Sequence, residues 1–422
     1  MHLLSPLSRT FLMRVVTCLL LAAAPPLAAQ SAPIPAALRP ALAALGTTNS
    51  WTLDQQRAIC EIPAPPFKEA SRAADYRERL AALGLRSVRL DAVGNVVAEH
   101  GDGSGPVIVL SAHLDTVFPE GTDVRVSTVG TVLKGPGIGD DCRGLAVMLA
   151  VARALRDARL ALPGTLIFAA TVGEEGLGNS RGALHLLQTT LKDRSVAAYL
   201  TIDLTGFDIV NTHVGSHRYR VTFAGPGGHS YSAFGMPNPV HALGRAVAAM
   251  AELTVPTDPR TTFSVGVIEG GRSVNAIADQ ASFQLDMRSS SAAALSTLDE
   301  QAQAIIQRAV AAEKARWPNS AVPLAVRIDT IGVRYAGVTP PESPLVQLAM
   351  ATARALGGSP TLDAASTDAN AAARLGIPAI AIGGGGSESG GHSLDEQYDD
   401  GPRGWTGPQW ALLLVSMLAG LR

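Results

Sequence analysis

Short apolar runs alternate with helical patterns over the first half of the chain. Three of these runs end abruptly in polar residues: "PVIVLSA" comes directly before His113, "GTLIFAA" runs towards Glu174, and "AAYLTID" ends at Asp203. Apolar residues at helical spacing occupy 67–85 and 144–155. This alternation predicts an α/β domain with a mainly parallel sheet covered by helices. Ligands of such sheets bind at the carboxyl ends of the strands, where all three polar endings fall.

The pattern changes near residue 213. "RYRVTFAG" alternates between apolar and polar residues, as a half-exposed strand does. The elements predicted after it are a helix at 237–252, strands at 262–269 and 281–288, a helix at 292–315 and a strand at 322–330. This β-α-β-β-α-β order is ferredoxin-like. We therefore predict an inserted α+β lid domain at 213–327, between catalytic segments at 30–212 and 328–422.

The N-terminus has the order of a secretory signal peptide. Arg9 and Arg14 flank the start of an apolar stretch, and small residues follow up to Ala29. The alternative is an uncleaved anchor, but the apolar run is shorter than the roughly 20 residues that a span requires. We predict a signal peptide at 1–29, no stable membrane anchor, and a periplasmic or secreted mature protein.

Composition and charge exclude some partners. The net charge is −2, with 47% hydrophobic and 17% charged residues, so neither a nucleic acid nor an anionic membrane is indicated. Removal of the signal leaves Cys60 and Cys142. Two distant cysteines do not form a disulfide framework, and we predict two free thiols.

Polar residues that suit a metal site collect at the predicted strand ends. His113 and Asp115 are two residues apart, so on a strand they point the same way. The other candidates are Asp140 and Asp141 in "GPGIGDDCRG", Glu174 and Glu175 in "TVGEEGLGN", Asp203, and His392 after a Gly-rich loop. Imidazole with carboxylate suits zinc, or less often cobalt or manganese. One bridging carboxylate would hold two metal ions about 3.5–4 Å apart.

These motifs, in this order, resemble the M20 family of dinuclear zinc peptidases, of the peptidase T and carboxypeptidase G2 type. The shared series is HxDT, GxGxxDD, GEE, a strand-ending Asp, and a late His after a Gly-rich loop. The resemblance covers nearly all of the mature chain, including the inserted lid. It implies two Zn²⁺ per subunit, with Co²⁺ or Mn²⁺ as alternatives, and it allows a homodimer through the lid.

The resemblance also implies a role for each residue of the cluster. His113 and Asp203 would bind one zinc ion, Glu175 and His392 the other, and Asp140 both. Asp115 would lie behind His113 and fix its tautomer. Glu174 would be the general base for water held between the metal ions.

The bridging aspartate is ambiguous in the sequence, because this chain reads D-D-C-R-G where the family often reads D-D-K-G. Counting from the glycines selects Asp140, whereas counting back from Arg143 selects Asp141. We prefer Asp140, because the glycine-rich turn positions the ligand.

On the substrate side, the resemblance implies that His229 stabilises the oxyanion and that Asn275 and Arg288 hold polar groups of the substrate. An arginine suits a substrate carboxylate, which it can bind through two hydrogen bonds. The alternative for Arg288 is a solvated arginine at a strand end.

The predicted function is that of an exported zinc exopeptidase that hydrolyses short peptides. Asp203 favours this reading, since the resemblance associates Asp here with peptidases and Glu with deacylases. The alternative is an N-acyl-amino-acid deacylase with the same chemistry. A non-catalytic metal-binding module is a third possibility, which the presence of Glu174 disfavours.

Overall fold

A computed structural model describes residues 31–101 and 103–422, so the predicted signal peptide at 1–29 lies outside the described residues. The first catalytic segment contains α1 (Arg39–Thr47), α2 (Asn49–Cys60), α3 (Ala70–Ala82), β1 (Arg86–Leu90), β2 (Val96–His100), β3 (Val107–His113), β4 (Ser127–Val129), β5 (Val132–Lys134), α4 (Cys142–Asp157), β6 (Thr165–Thr171), α5 (Arg181–His185), β7 (Val196–Leu204) and β8 (Ile209–His213).

The remaining elements follow in chain order. The lid contains β9 (Gly215–Ala224), β10 (Gly228–His229), α6 (Pro239–Ala251), β11 (Thr261–Gly270), β12 (Ala276–Ile277), β13 (Gln280–Ser289), α7 (Ala292–Ala315) and β14 (Ala325–Arg334). The chain then returns through β15 (Gly337–Val338), α8 (Pro344–Ala355), β16 (Leu362–Ala365), α9 (Ala369–Arg374), β17 (Ala379–Gly383), β18 (Ser387–Ser389), β19 (Gln397–Asp399) and α10 (Thr406–Leu418).

The main sheet has the order β1-β2-β6-β3-β7-β17-β8-β15, and β16 also pairs with β8. Its centre, β6-β3-β7-β17, is parallel. Alternate residues of β3 face opposite sides, so Ile108 and Leu110 pack towards α4 and α10 while Val109 packs towards α5 and α9. Both faces are buried, which explains the uninterrupted apolar runs. The predicted α/β fold, with a mainly parallel sheet covered by helices, is confirmed.

The lid forms a second core of its own. Its antiparallel sheet has the order β11-β13-β9-β14, and α6 and α7 cover one face of it. The predicted β-α-β-β-α-β succession is confirmed element by element. The strands of this sheet lie between residues 215 and 334. Its last strand, β14, continues past the predicted strand end at 330. The domain boundaries at 213 and 327 stay a prediction.

A small sheet that the sequence pattern does not predict supports the site loops. It has the order β18-β19-β5-β4, and its strands are three residues long, too short for a periodicity to be read. It ties the segment before the Asp140 loop to the segments on either side of His392. Among the described residues, no helix is long and apolar enough to cross a membrane.

The prediction of two free thiols is wrong, because Cys60 and Cys142 form a disulfide with a Cα–Cα distance of 5.5 Å. Cys60 ends α2 and Cys142 begins α4, and these two helices pack side by side. The cysteines are 82 residues apart in the chain, so their spacing carries no information on this contact. The bond fastens α2 to the residue that follows Asp141.

We predict that the double variant Cys60→Ser/Cys142→Ser lowers the free energy of unfolding by about 2–4 kcal/mol, because the disulfide closes a long loop of the unfolded chain. Denaturant unfolding of the oxidised protein and the variant measures the difference. Reductant should bring the parent protein to the stability of the variant and leave the variant unchanged. Equal stability of the oxidised parent and the variant would contradict the prediction.

Candidate metal centre and active site

Two histidines face the two oxygens of one carboxylate at the carboxyl edge of the main sheet. The Nε2 atom of His113 lies 2.7 Å from Oδ1 of Asp140, and Nε2 of His392 lies 2.9 Å from Oδ2. Glu175 joins them, with its Oε1 atom 3.0 Å from Nε2 of His392. Ligand atoms of His113, Asp140 and Glu175 all lie within 4.8 Å of one another. Asp140 thus occupies the position that a carboxylate shared by two metal ions requires.

Asp203 completes the group on the side of His113. Its Oδ1 atom lies 3.7 Å from Nε2 of His113. The contacts therefore place Asp203 with His113 and Glu175 with His392, on opposite sides of Asp140. This is the division that the family resemblance implies, and the individual ligand roles stay predictions. Two imidazoles and three carboxylates are a donor set that fits zinc, cobalt or manganese.

The neighbouring aspartate has a different position. The Oδ2 atom of Asp141 accepts a hydrogen bond from the His113 main-chain amide at 2.9 Å. Its Oδ1 atom accepts one from the Gly144 amide, also at 2.9 Å, and so caps the N-terminus of α4. Both oxygens of Asp141 therefore bind backbone amides behind the cluster. This geometry supports Asp140, and not Asp141, as the bridging residue.

Glu396 holds the Asp140 loop in place. Its carboxylate accepts hydrogen bonds from the amides of Gly137, Gly139 and Asp140 at 2.9, 2.8 and 3.1 Å. The side chain is fully buried, and burial raises the pKa of Glu396. The sequence analysis missed this residue, although it lies four positions after His392 in the same motif. An acidic residue that orients a loop through backbone amides leaves no distinctive spacing.

Asp115 holds the loop that carries the two adjacent glutamates. Its Oδ1 and Oδ2 atoms accept hydrogen bonds from the amides of Glu174 and Glu175 at 3.0 and 2.9 Å. The nearest partner of the His113 Nδ1 atom is the Asp115 main-chain carbonyl at 2.9 Å, whereas the carboxylate is 3.7 Å away. The predicted position behind His113 is thus observed. The hydrogen bond that selects the tautomer comes from the backbone, because the carboxylate is engaged by the two amides.

Glu174 is buried beside the cluster but takes no part in it. Its Oε1 atom accepts a hydrogen bond from Nη1 of Arg334 at 2.6 Å, and its main-chain carbonyl accepts another from Nη2. No hydrogen bond from the described residues reaches its Oε2 atom. Burial raises the pKa of Glu174, and the Arg334 cation partly opposes that rise. The sequence analysis missed Arg334, which lies 160 positions away in the chain.

Burial and the two histidines act in opposite directions on the carboxylates of the cluster. Burial raises the pKa of Asp203 to about 6, against the effect of His113. Burial also opposes ionisation of Asp140, but His113 and His392 more than offset it and lower the pKa of that carboxyl. Hydrogen bonds to Asp140 and Glu175 raise the pKa of His392 to about 11. The carboxylates of the cluster therefore stabilise positive charge beside them, as a metal site requires.

The loop of His392 carries two further features. His392 has a φ of 62°, in the left-handed region that few residues other than glycine adopt. Such backbone conformations concentrate at functional sites, where the surrounding structure enforces them. Glu388, four positions earlier, is half-buried over Gly139 and Gly391. Burial, together with the charge of Asp140, raises the pKa of Glu388 to about 7.

The predicted substrate residues lie in two places on the lid. His229 and Asn275 are both exposed and line one open cavity of about 380 Å³. Within the described chain, neither forms a hydrogen bond with the metal cluster. Arg288 is half-buried, and its Nε atom donates to Asp286 at 2.8 Å. Asp286 also accepts a hydrogen bond from Arg218, so Arg288 is a member of an ion-pair network and is not freely solvated.

The comparisons with known proteins agree with this geometry. The model of peptidase family M20/M25/M40 matches residues 109–403, a span that includes every predicted metal ligand. A Pyrococcus abyssi (strain GE5 / Orsay) protein, whose name describes a LysW-lysine/LysW-ornithine hydrolase, is 34% identical over 128 residues. That alignment covers 30% of this chain and only 34% of the length of the relative.

Two solved structures share the fold over almost their whole length. Aminopeptidase PepT from Bacillus cereus ATCC 10987 has a TM-score of 0.69 at 20% identity, covering 87% of this chain and 98% of its own. The YxeP protein of Bacillus subtilis, described as a dinuclear metal-binding peptidase of the M20 family, has a TM-score of 0.62 at 17% identity. That match covers 88% of this chain and 99% of YxeP.

We predict that Asp140→Asn removes most bound metal, because it weakens the carboxylate that both histidines face. Asp141→Asn should retain metal but lower stability by about 1 kcal/mol, since the Asn amide nitrogen cannot accept and one of the two backbone amides loses its acceptor. Elemental analysis after gel filtration measures the metal, and denaturant unfolding measures stability. Metal loss in Asp141→Asn with retention in Asp140→Asn would reverse the assignment.

We predict that metal affinity rises with pH. Hydrogen bonds to Asp140 and Glu175 raise the pKa of His392 to about 11. Burial opposes a rise in the pKa of His113, but hydrogen bonds to Asp140 and Asp203 more than offset it, so protons compete with metal ions for both rings. Metal binding must displace these protons. For each proton displaced, the apparent metal affinity rises about tenfold per pH unit. Zinc titration between pH 6 and 8, with calorimetry in buffers of different ionisation heat, counts the protons. His392→Ala should release about one proton fewer, whereas pH-independent affinity would contradict the prediction.

Proposed function

The chain belongs to peptidase family M20/M25/M40, and we propose that it is an exported, zinc-dependent exopeptidase that hydrolyses short peptides. The observation that carries the proposal is the placement of Asp140 between His113 and His392, with Glu175 in the cluster and Glu174 outside it. Family membership establishes a hydrolase of peptide or amide bonds. The proposal adds the metal, the substrate class and the compartment.

The residues divide the work of amide hydrolysis. The predicted ligands are His113, Asp140, Glu175, Asp203 and His392. Metal ions held by these residues would acidify a water molecule and polarise the amide carbonyl. Glu174 would take the proton from that water at its Oε2 atom and deliver it to the leaving amine. Its neighbour Glu175 cannot replace it, because the Glu175 carboxylate faces His392 within the cluster. Adjacent carboxylates thus have separate roles in binding and in proton transfer.

Two observations support export. The first 29 residues have the charged, apolar and small-residue order of a signal peptide. The disulfide between Cys60 and Cys142 is the kind of bond that persists in an oxidising compartment. We therefore propose a periplasmic or secreted enzyme.

The substrate proposal rests on the lid and on fold likeness to an aminopeptidase. His229 and Asn275 line one cavity, where they could bind the polar backbone of a short peptide. Arg288 is tied to Asp286, and a substrate carboxylate would have to compete with that ion pair. Blocking each end of the peptide in turn therefore identifies whether the amino or the carboxyl end is recognised.

A matched substrate panel tests the proposal on the zinc-loaded mature protein. It contains free tripeptides, the same peptides N-acylated or C-amidated, and simple N-acyl amino acids. We expect cleavage of the free tripeptides. Loss on N-acylation alone identifies an aminopeptidase, and loss on C-amidation alone identifies a carboxypeptidase. Cleavage of the N-acyl amino acids alone would replace the exopeptidase by the alternative deacylase.

Glu174→Gln is the control for the catalytic assignment. We expect it to keep the metal content of the parent and to lose about 10²–10⁴-fold in kcat, because the base is removed while the cluster remains. Elemental analysis accompanies the kinetics. Turnover close to that of the parent would exclude Glu174 as the base.

A further inference from the structure

The loop that carries the proposed base is held from two sides. From the catalytic domain, the Asp115 carboxylate accepts hydrogen bonds from the amides of Glu174 and Glu175. From the lid sheet, Arg334 donates to the Glu174 carbonyl and Arg218 donates to the Gly176 carbonyl. Amides and carbonyls of one short loop are therefore engaged by different parts of the fold.

Arg334 is the member of this set that contacts the reactive side chain itself. Its guanidinium is only 5% exposed, and it binds the Glu174 carboxylate and carbonyl through separate nitrogens. Nη1 also donates to Ser366 Oγ at 3.0 Å. A planar guanidinium with several donors fixes orientation as well as charge, which a lysine ammonium does not. Arg334 thus holds Oε1, while no hydrogen bond from residues 31–101 or 103–422 reaches Oε2 of the same carboxylate.

Charge complementarity reinforces this geometry. Glu174 is only 6% exposed, and a buried ionised carboxylate without a cation is strongly disfavoured. Arg334 is the arginine that ion-pairs with it among the described residues. Asp368 also favours the charged form of Arg334, although less than Glu174 does. The Oδ2 atom of Asp368 accepts a hydrogen bond from Thr171 Oγ1 at 2.6 Å.

The position of Arg334 in the fold gives this contact a second consequence. Arg334 ends β14, where it pairs with Ser216 at the start of β9. Arg218 lies further along β9, opposite Gly332 of β14. Both arginines therefore belong to the lid sheet, at the end where the chain passes between lid and catalytic domain. The orientation of the base depends on how this end of the lid is seated.

We propose that Arg334 is a positioning residue that acts through Glu174, holding one carboxylate oxygen and the main chain so that the other oxygen faces the metal cluster. The proposal rests on the role of Glu174 as base under the proposed function. It predicts that loss of Arg334 reduces kcat and leaves substrate binding and metal binding intact.

The kinetic test compares Arg334→Met and Arg334→Lys with the parent on any amide substrate that the parent cleaves. We expect Arg334→Met to lower kcat about 100-fold with KM and metal content nearly unchanged, since a small misplacement of a catalytic group can cost that much. Arg334→Lys should fall between, because it keeps the charge but not the planar donors. A kcat of Arg334→Met within about threefold of the parent would overturn the proposal, because a change of that size is typical of an ordinary surface substitution.

Two controls separate positioning from general damage. Arg327→Met removes an exposed arginine from the same strand, which forms an ion pair with Asp329, and should leave kcat unchanged. In the Glu174→Gln background, Arg334→Met should cause little further loss, because a residue that acts through Glu174 has nothing left to position. Independent, multiplicative losses in that cycle would also overturn the proposal.

A stability cycle on the metal-free protein needs no substrate, so it tests the contact even if the proposed function fails. Arg334→Met should lower the melting temperature by several degrees in the parent, because it leaves a buried carboxylate without its cation. The shift should be clearly smaller in Glu174→Gln, where no charge remains to be paired. Arg334→Gln, which also removes the cation, replaces Arg334→Met in both backgrounds if the latter does not fold. Equal shifts in the two backgrounds would show that the residues are not coupled and would overturn the proposal.

Discussion

Repulsion between carboxylates is the constraint on which this molecule depends. Many of them crowd the loops at the carboxyl edge of the main sheet: Asp115, Asp140, Asp141, Glu174, Glu175, Asp203, Glu388 and Glu396. Two unit charges 4 Å apart repel by about 4 kcal/mol at the effective dielectric near a protein surface. Each carboxylate therefore needs donors or a cation, and the way in which each is satisfied defines its role.

Three of them are satisfied by backbone amides. Asp115 binds the amides of Glu174 and Glu175, and Asp141 binds those of His113 and Gly144. Glu396 binds amides of the Asp140 loop. Glu174 is satisfied by a guanidinium instead. Among the described residues, Asp140, Glu175 and Asp203 have the two histidines as their side-chain partners, and these are the carboxylates that a pair of metal cations would complete. The backbone-bound acids thus shape the loops, and Asp140, Glu175 and Asp203 are left as the predicted metal ligands.

The sequence predicts the parts of this arrangement that depend on local order. Strands that end in His113 and Asp203 can be recognised because apolar runs stop there, and parallel pairing brings such ends to one edge. The parts that it does not predict depend on contacts between distant segments. Cys60 meets Cys142 only because α2 packs on α4, and Arg334 reaches Glu174 only because the lid sheet ends beside the base loop. Neither contact has a periodicity or a spacing that a single sequence reveals.

The lid carries two kinds of residue, which differ in burial. His229 ends the short strand β10 and Asn275 lies just before β12, and both side chains are exposed, so a substitution there alters the surface of the lid and little else. Arg334 is buried in contact with Glu174, so a substitution there would disturb Glu174 and not the surface of the lid. Substitutions on the exposed lid surface would therefore leave the contact between β14 and Glu174 unchanged. The division follows from burial, because an exposed loop can change without disturbing the carboxylates and a buried ion pair cannot.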